Sequence, residues 1–300
     1  MERGEALEVW RGCVNAWECD ELGHMNMRFY LARAFDGLAG LAAALGQPRA
    51  FATEAAATLQ VVRQHVRFLR EAKAGDSLFM TGGVAEMQEE GALALQVLHH
   101  DDGRPCATVL SHLLHATPKR GRAFCWPARA LAAAENLSVT VPEFAAPRNF
   151  AQDEPIDPTL AWSQSLTRIG LAPVAARDCD VFGYMTPDGV LARVSDGMNQ
   201  LTAPLYAEIA AAEPERRLGT AALEYRIDHL GRPRAGDLVD VRSRVTALAE
   251  KVILLEHWLC DPVERRVWAR AKGVCANFDL DTRRAAPIPE AVRSRFALTA

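Results

Sequence analysis

Hydrophobic positions along this chain follow two periods, and the switches between them mark the elements. Residues 7–17 alternate loosely, with Leu7, Val9, Cys13 and Val14 apolar, and predict a first strand. From Met27 the spacing lengthens. Leu31, Phe35, Leu38, Ala42 and Leu45 step by four, three, four and three, as on one face of an α-helix. Tyr30, Ala34, Gly37 and Leu41 widen that face, so much of the helix should be buried. Asn26 suits its N-cap, and Gly46 and Pro48 end it. Period two then returns. Val62, Val66 and Phe68 alternate with Arg63, His65 and Arg67, which predicts a strand with one solvated face. Further strands are expected at 78–84, 93–98 and 106–116. The Ala74-Gly75-Asp76 turn, a polar turn at 86–91 and the hairpin signal Asp101-Asp102-Gly103 separate them.

Residues 119–160 break this pattern with prolines at 127, 142, 147, 155 and 158, and read as a linker with a short helix at 128–135. The order then repeats. Residues 166–176 are strand-like, and Thr186-Pro187 suits an N-cap and first helical position. Leu191, Val194, Met198, Leu201 and Leu205 step along a helix face, and Leu223, Tyr225 and Ile227 alternate with Glu224, Arg226 and Asp228. After Ala235-Gly236-Asp237 come strands near 238–245, 252–259 and 267–278. Asp20 and Asp76 are 56 positions apart, and Asp180 and Asp237 are 57. Leu31, Leu38 and Leu45 align with Leu191, Met198 and Leu205 at an offset of 160. Such self-similarity marks duplicated units. The expected organisation is an α+β unit at 1–118, a linker at 119–160 and a second unit at 161–300.

Composition narrows the function classes. Hydrophobic residues at 49% and charged residues at 24% describe a globular chain with a sizeable core. A net charge of -4 gives no general drive toward nucleic acid or acidic membranes. No apolar stretch follows Met1–Glu5, and the greasiest run, residues 38–46, is far too short to span a bilayer. The seven cysteines are scattered without a Cys-x-x-Cys pair, which fits free thiols in a cytoplasmic protein. His99, His100, His112 and His115 do not suggest a metal site, because positions 112 and 115 point to opposite strand faces. No cofactor is expected.

The densest chemistry lies between the first strand and the first helix. Asp20, Gly23, His24 and Asn26 fall within seven positions, and a weaker copy recurs at Asp180, Gly183, Tyr184 and Thr186. A strand leading into Asp-x-x-Gly-His-x-Asn, a long helix carrying Tyr30, and antiparallel strands with an Ala-Gly-Asp turn resemble the hotdog-fold acyl-CoA thioesterases. The nearest likeness is to the 4-hydroxybenzoyl-CoA thioesterase-like group, over residues 5–118 and again over 161–283. The resemblance implies a tandem double hotdog, in which two helix-in-sheet units pair and form active sites at their shared interface. It places the catalytic carboxylate at Asp20, with Asp180 as its counterpart. It also places thioester-oxygen binding at backbone amides near Gly23 and Gly183. His24 and Asn26 match the motif, whereas Tyr184 and Thr186 depart from it in the second copy.

This chemistry suits a thioester, whose thiolate leaves readily and whose cleavage needs an attacking oxygen and a seat for the oxyanion. Asp20 can attack directly or deprotonate a water, and amides at a helix N-terminus suit the oxyanion. Each residue also has a structural reading: Asp20 as a turn acid, Gly23 as a positive-φ residue, Asn26 as an N-cap, His24 as a hydrogen-bonding group and Tyr30 as core. Arg67, Arg70 and Lys73, with Arg63, Arg232 and Arg234, are candidates for the phosphates of a CoA-type substrate, or for a solvated face. The expected partner is an acyl-CoA or acyl-carrier-protein thioester, and further pairing into a homodimer is open. A hydratase or dehydratase on an enoyl or hydroxyacyl thioester and a non-catalytic acyl-thioester binder are the competing readings.

Overall fold

The computed structural model describes residues 7–151 and 154–299. The first half runs β1 (Leu7–Cys13), α1 (Met27–Ala44), β2 (Thr58–Phe68), β3 (Ser77–Met87), β4 (Gly91–His100) and β5 (Pro105–Ala116). A connecting segment contains α2 (Ala128–Asn136). The second half runs β6 (Thr167–Pro173), α3 (Gly189–Ala212), β7 (Leu218–His229), β8 (Leu238–Leu248), β9 (Val252–Asp261) and β10 (Arg266–Asp279). A short β11 (Arg284–Ala285) and α4 (Glu290–Thr299) follow. All named strands pair antiparallel, in the order β1-β3-β4-β5-β2-β7-β10-β9-β8-β6, with β11 beside β10. Helix α1 packs on β1, helix α3 on β6, and the two helices touch. The result is the α+β double hotdog that the resemblance implies, two helix-in-sheet units joined into one sheet.

The joint is symmetric. β2 pairs with β7 through Arg63↔Asp228, His65↔Arg226 and Arg67↔Glu224. Asp76 and Asp237 define an offset of 161 between the copies, and at that offset Arg63 matches Glu224 and Arg67 matches Asp228. Each residue therefore pairs with the counterpart of a neighbour on its own strand, and a pseudo-twofold axis passes through the His65–Arg226 pair. Even the bulges repeat. The ladder skips Val62 between β2 and β5, and Leu223 between β7 and β10, which are 161 positions apart.

Alternation alone predicts a solvated outer face on β2, and the structure differs there and on the matching face of β7. His65, Arg67, Glu224, Arg226 and Asp228 are all at most 7% exposed. The connecting segment covers them. Arg67 Nη1 donates to the carbonyls of Glu143 and Ala146 at 3.2 and 3.3 Å. Arg226 donates to the Ala151 carbonyl, and Glu224 accepts from Arg148 N at 3.0 Å and Asn149 Nδ2 at 2.6 Å. Residues 119–160 thus act as a packed layer as well as a connection. Trp126, Ala130 and Ala134 join the core around Leu38 and Leu41, and Ala145 seats on Leu95, Val97 and Leu110.

Two local features refine the helix readings. Asn26 caps α1, its side chain accepting from Arg28 N at 3.1 Å. The cap of α3 lies two residues after the expected one, because the Thr186 hydroxyl donates to the Asp178 carbonyl instead of capping and Asp188 takes the cap position. The small residues of the helices serve close packing on the first strand of each half. A Cβ at Gly40 would lie 2.6 Å from the Val9 carbonyl oxygen, and one at Gly197 2.3 Å from that of Ile169.

Gly197→Ala should therefore destabilise the protein by about 1–3 kcal/mol through overpacking, despite its better helix propensity, as read by thermal unfolding. The strap also makes stability depend on pH. Burial raises the Glu224 carboxyl, but hydrogen bonds from His65, Arg148 N and Asn149 outweigh it and hold its pKa at about 2. A depressed carboxylate contributes stability above its unfolded pKa and loses it as pH falls toward the folded one. Wild-type Tm should fall more steeply than that of Glu224→Gln between about pH 4.5 and pH 2.

Candidate active site

Each copy places a tight hairpin between its first strand and its helix. In the first, Cys19 and Met25 form an isolated antiparallel bridge around Asp20–His24. Asp20 N donates to the His24 carbonyl at 2.8 Å, and Gly23 N to the Asp20 carbonyl at 3.0 Å. Asp20 Oδ1 accepts from Leu22 N at 2.9 Å and His24 N at 3.0 Å. Gly23 takes φ 77°, which glycine adopts without penalty. Asp20 is half-buried, and its Oδ2 has no protein partner among the described residues.

The second loop has the same backbone. Cys179 bridges Met185, Gly183 has φ 84°, and Asp180 Oδ1 accepts from Phe182 N at 2.9 Å and Tyr184 N at 3.0 Å. Gly183 N donates to the Asp180 carbonyl at 3.0 Å. In both loops the glycine amide is consumed by the turn and the acid holds the turn together. This turn needs Asp or Asn at its first position and Gly at its fourth, and both copies retain that pair.

Side chains make the two loops different. At the first, residues of the second half close in. Asn26 Nδ2 donates to Ser195 Oγ at 2.8 Å, and Arg28 pairs with the nearly buried Asp188 at 3.0 Å. Arg283 Nη2 donates to His24 Nε2 at 3.0 Å and pairs with Glu71, whose carboxylate lies 3.4 Å from the same nitrogen. The start of β7, Leu218 to Ala222, adjoins the turn bearing Arg283, and all five residues are partly exposed. The matching start of β2 is tighter: Thr58, Leu59 and Val61 are buried.

At the second loop Tyr184 replaces the histidine and is 6% exposed. Its hydroxyl donates to the Lys119 carbonyl and accepts from Arg234 Nη2, each at 2.6 Å, and Arg232 stacks 3.7 Å above the ring. A cavity of about 50 Å³ lies beside it, lined by Phe35, Phe51, Asp180, Tyr184, His229 and Arg232. That is room for a few waters. Burial pushes His229 down to about 4, so it is neutral near pH 7, and its Nε2 lies 3.2 Å from Gln64 Oε1.

Of the other residues singled out in the sequence, Tyr30 and Lys73 adjoin the first loop and Arg67 lies away from it. Tyr30 is 5% exposed, stacks edge-on with Phe68 at 5.2 Å and accepts from Ala72 N at 3.3 Å. Burial pushes its phenol upward. Arg67 lies under the strap on the outer face of the sheet. Arg70 is exposed and donates to the Pro105 carbonyl at 2.8 Å, and Lys73 is exposed on the backbone that bridges His24. Of the four clustered histidines, His99 bonds Thr81 and His115 bonds Gln47, each at 3.0 Å. Pattern reading passed over Ser195, His229 and Arg283. Arg283 carried a signal in its position, which matches a glycine of the first copy.

Comparison with known proteins bears on the same segments. The chain matches the family model of the thioesterase-like superfamily over residues 14–137 and again over 174–296. No curated protein sequence is significantly similar to it. Solved structures similar in fold include an acyl-ACP thioesterase from Bacteroides thetaiotaomicron, with a TM-score of 0.63, 10% identity and coverage of 89% of this chain and 96% of that one. Another is the 12:0-ACP thioesterase from Umbellularia californica, with a TM-score of 0.65, 10% identity and coverage of 89% and 93%. At such identity the likeness is one of fold. The two family matches each span a loop, its helix and the strands that follow, and on that ground the chain belongs to the thioesterase-like superfamily.

Proposed function

We propose that this protein hydrolyses acyl thioesters of CoA or an acyl carrier protein at the first loop. The observation that carries the reading is Asp20, with Oδ1 pinned by two amides and Oδ2 without a protein partner among the described residues, in the loop that leads into α1, whose cap Asn26 bonds Ser195 of the second half. A carboxylate fixed in this way can take a proton from an attacking water or add to the thioester carbon itself. The Gly23 amide is engaged by the Asp20 carbonyl, so the oxyanion falls to other donors. The first amide of α1, at Met27, and the His24 ring are the ones at hand. Asn26, shared between the cap of α1 and Ser195, sets the helix end against the second half.

The second loop has the turn but not the chemistry. Tyr184 fills the histidine position and both bonding capacities of its hydroxyl are taken. Asp180 is a turn acid in this reading. Arg70 and Lys73, exposed next to the first loop, suit the phosphate of a CoA or carrier-protein arm, whereas Arg67 belongs to the strap. The acyl-ACP thioesterases among the fold relatives keep a carrier-protein thioester in the substrate class.

Asp20→Asn and Asp180→Asn both preserve an oxygen for the turn, so each should fold. On a panel of acyl-CoA and acyl-ACP thioesters, Asp20→Asn should lower kcat about 100-fold or more and Asp180→Asn less than about threefold, as read by thiol release. Full activity in Asp20→Asn would remove Asp20 from the chemistry. Loss confined to Asp180→Asn would move it to the second loop. Disappearance of an enoyl double bond without thiol release would assign a hydratase instead.

A further inference from the structure

The two copies end their last long strand in a turn of the same backbone, and its left-handed position carries a different residue in each. In the first copy Gly121 N donates to the Thr117 carbonyl at 2.8 Å, with φ 62° at Gly121. In the second Arg283 N donates to the Asp279 carbonyl at 2.9 Å, with φ 59° at Arg283. Both donors and both acceptors are 162 positions apart. The strand returning from each turn pairs in the same register, Ala116↔Ala123 and Phe278↔Ala285. The left-handed conformation favours glycine and is costly for a long side chain. One copy uses glycine there. The other carries an arginine whose guanidinium reaches His24 and Glu71 of the opposite half.

Space explains part of the asymmetry. At Gly121 a Cβ would sit 2.7 Å from Gln60 Oε1 and 3.4 Å from Arg232 Nη1, so these two side-chain ends would have to move for a larger residue. At the first loop Arg283 holds this position and is exposed. Chemistry explains the rest. A guanidinium only donates, so the His24 Nε2 it meets must carry a lone pair. The hydrogen of the ring then sits on Nδ1, which has no protein partner among the described residues.

We propose that Arg283 is a positioning residue of the first-loop site, reaching across the two halves to hold the ring hydrogen of His24 on Nδ1, as a hydrogen-bond donor toward the thioester. This rests on the assignment of the chemistry to the first loop. The charged groups facing His24 are Arg283, Glu71, Lys73 on the bridged backbone and Asp20 within its own loop. Arg283 occupies Glu71. Without it, the Glu71 carboxylate is left 3.4 Å from Nε2 as an acceptor, which favours the tautomer with its hydrogen on Nε2.

The test uses Arg283→Gly, which restores the glycine of the first copy and relieves the backbone. Its Tm should equal or exceed that of wild type, while kcat on an acyl thioester falls about tenfold with KM little changed. Arg283→Lys should recover part of kcat. Two-bond 1H–15N spectra of histidine-labelled protein, with His24→Gln for assignment, should show wild-type His24 unprotonated at Nε2 and Arg283→Gly protonated there. Unchanged activity and tautomer in Arg283→Gly, or a wild-type His24 carrying its hydrogen on Nε2, would overturn the proposal. Activity and Tm falling together would reduce Arg283 to a structural residue and also overturn it. The spectra do not depend on turnover, so an inactive or misassigned first loop would show separately, as full activity in Asp20→Asn.

Discussion

The β2–β7 ladder is the constraint on which the rest of the molecule depends. It turns two helix-in-sheet units into one sheet and sets the pseudo-twofold axis at His65 and Arg226. Once that register exists, each loop must face the opposite half. It also places charged side chains on the outer face of a central seam, where Arg63–Asp228, Arg226–Asp228 and His65–Glu224 satisfy one another. Buried charges are tolerated only when paired and hydrogen-bonded. The strap of residues 143–151 completes that bonding with backbone carbonyls and amides, so the segment between the halves belongs to the seam.

Symmetric backbones with unequal side chains are the second theme. Both hairpins keep the aspartate and glycine that the turn requires, and both helices keep a glycine where they cross the first strand. The side chains around the two loops differ. Histidine became tyrosine at 184, with its hydroxyl tied to Lys119 and Arg234. Glycine 121 has arginine 283 as its counterpart, at the backbone angle where glycine is easiest. The first loop meets groups from the second half, and the second loop borders a cavity of about 50 Å³.

Much of this was legible in the residue pattern. The helix over Met27–Ala44 and its Asn26 cap, the strands, the short helix in the connecting segment and the duplication all follow from local periodicity and spacing, because each is enforced by neighbours a few residues away. Asp20, Gly23, His24 and Asn26 stood out for the same reason, since a turn and a cap are local devices. Alternation failed on the outer face of β2. It cannot register a strap that arrives from 75–79 residues along the chain, and it reads Arg67 as solvated. The start of α3 was misjudged because Thr186 spends its hydroxyl on Asp178, a choice made by the loop fold.

By itself the sequence determined two copies of a helix-in-sheet unit, the hairpin that each copy builds around an aspartate, and the superfamily these features mark. Tertiary structure decided which groups meet across the axis. Ser195 against Asn26 and Arg283 against His24 join residues more than 160 positions apart, and only the β2–β7 register brings them within bonding distance. Local propensity acts over a turn or two of chain, whereas a site between halves is written in the pairing of strands.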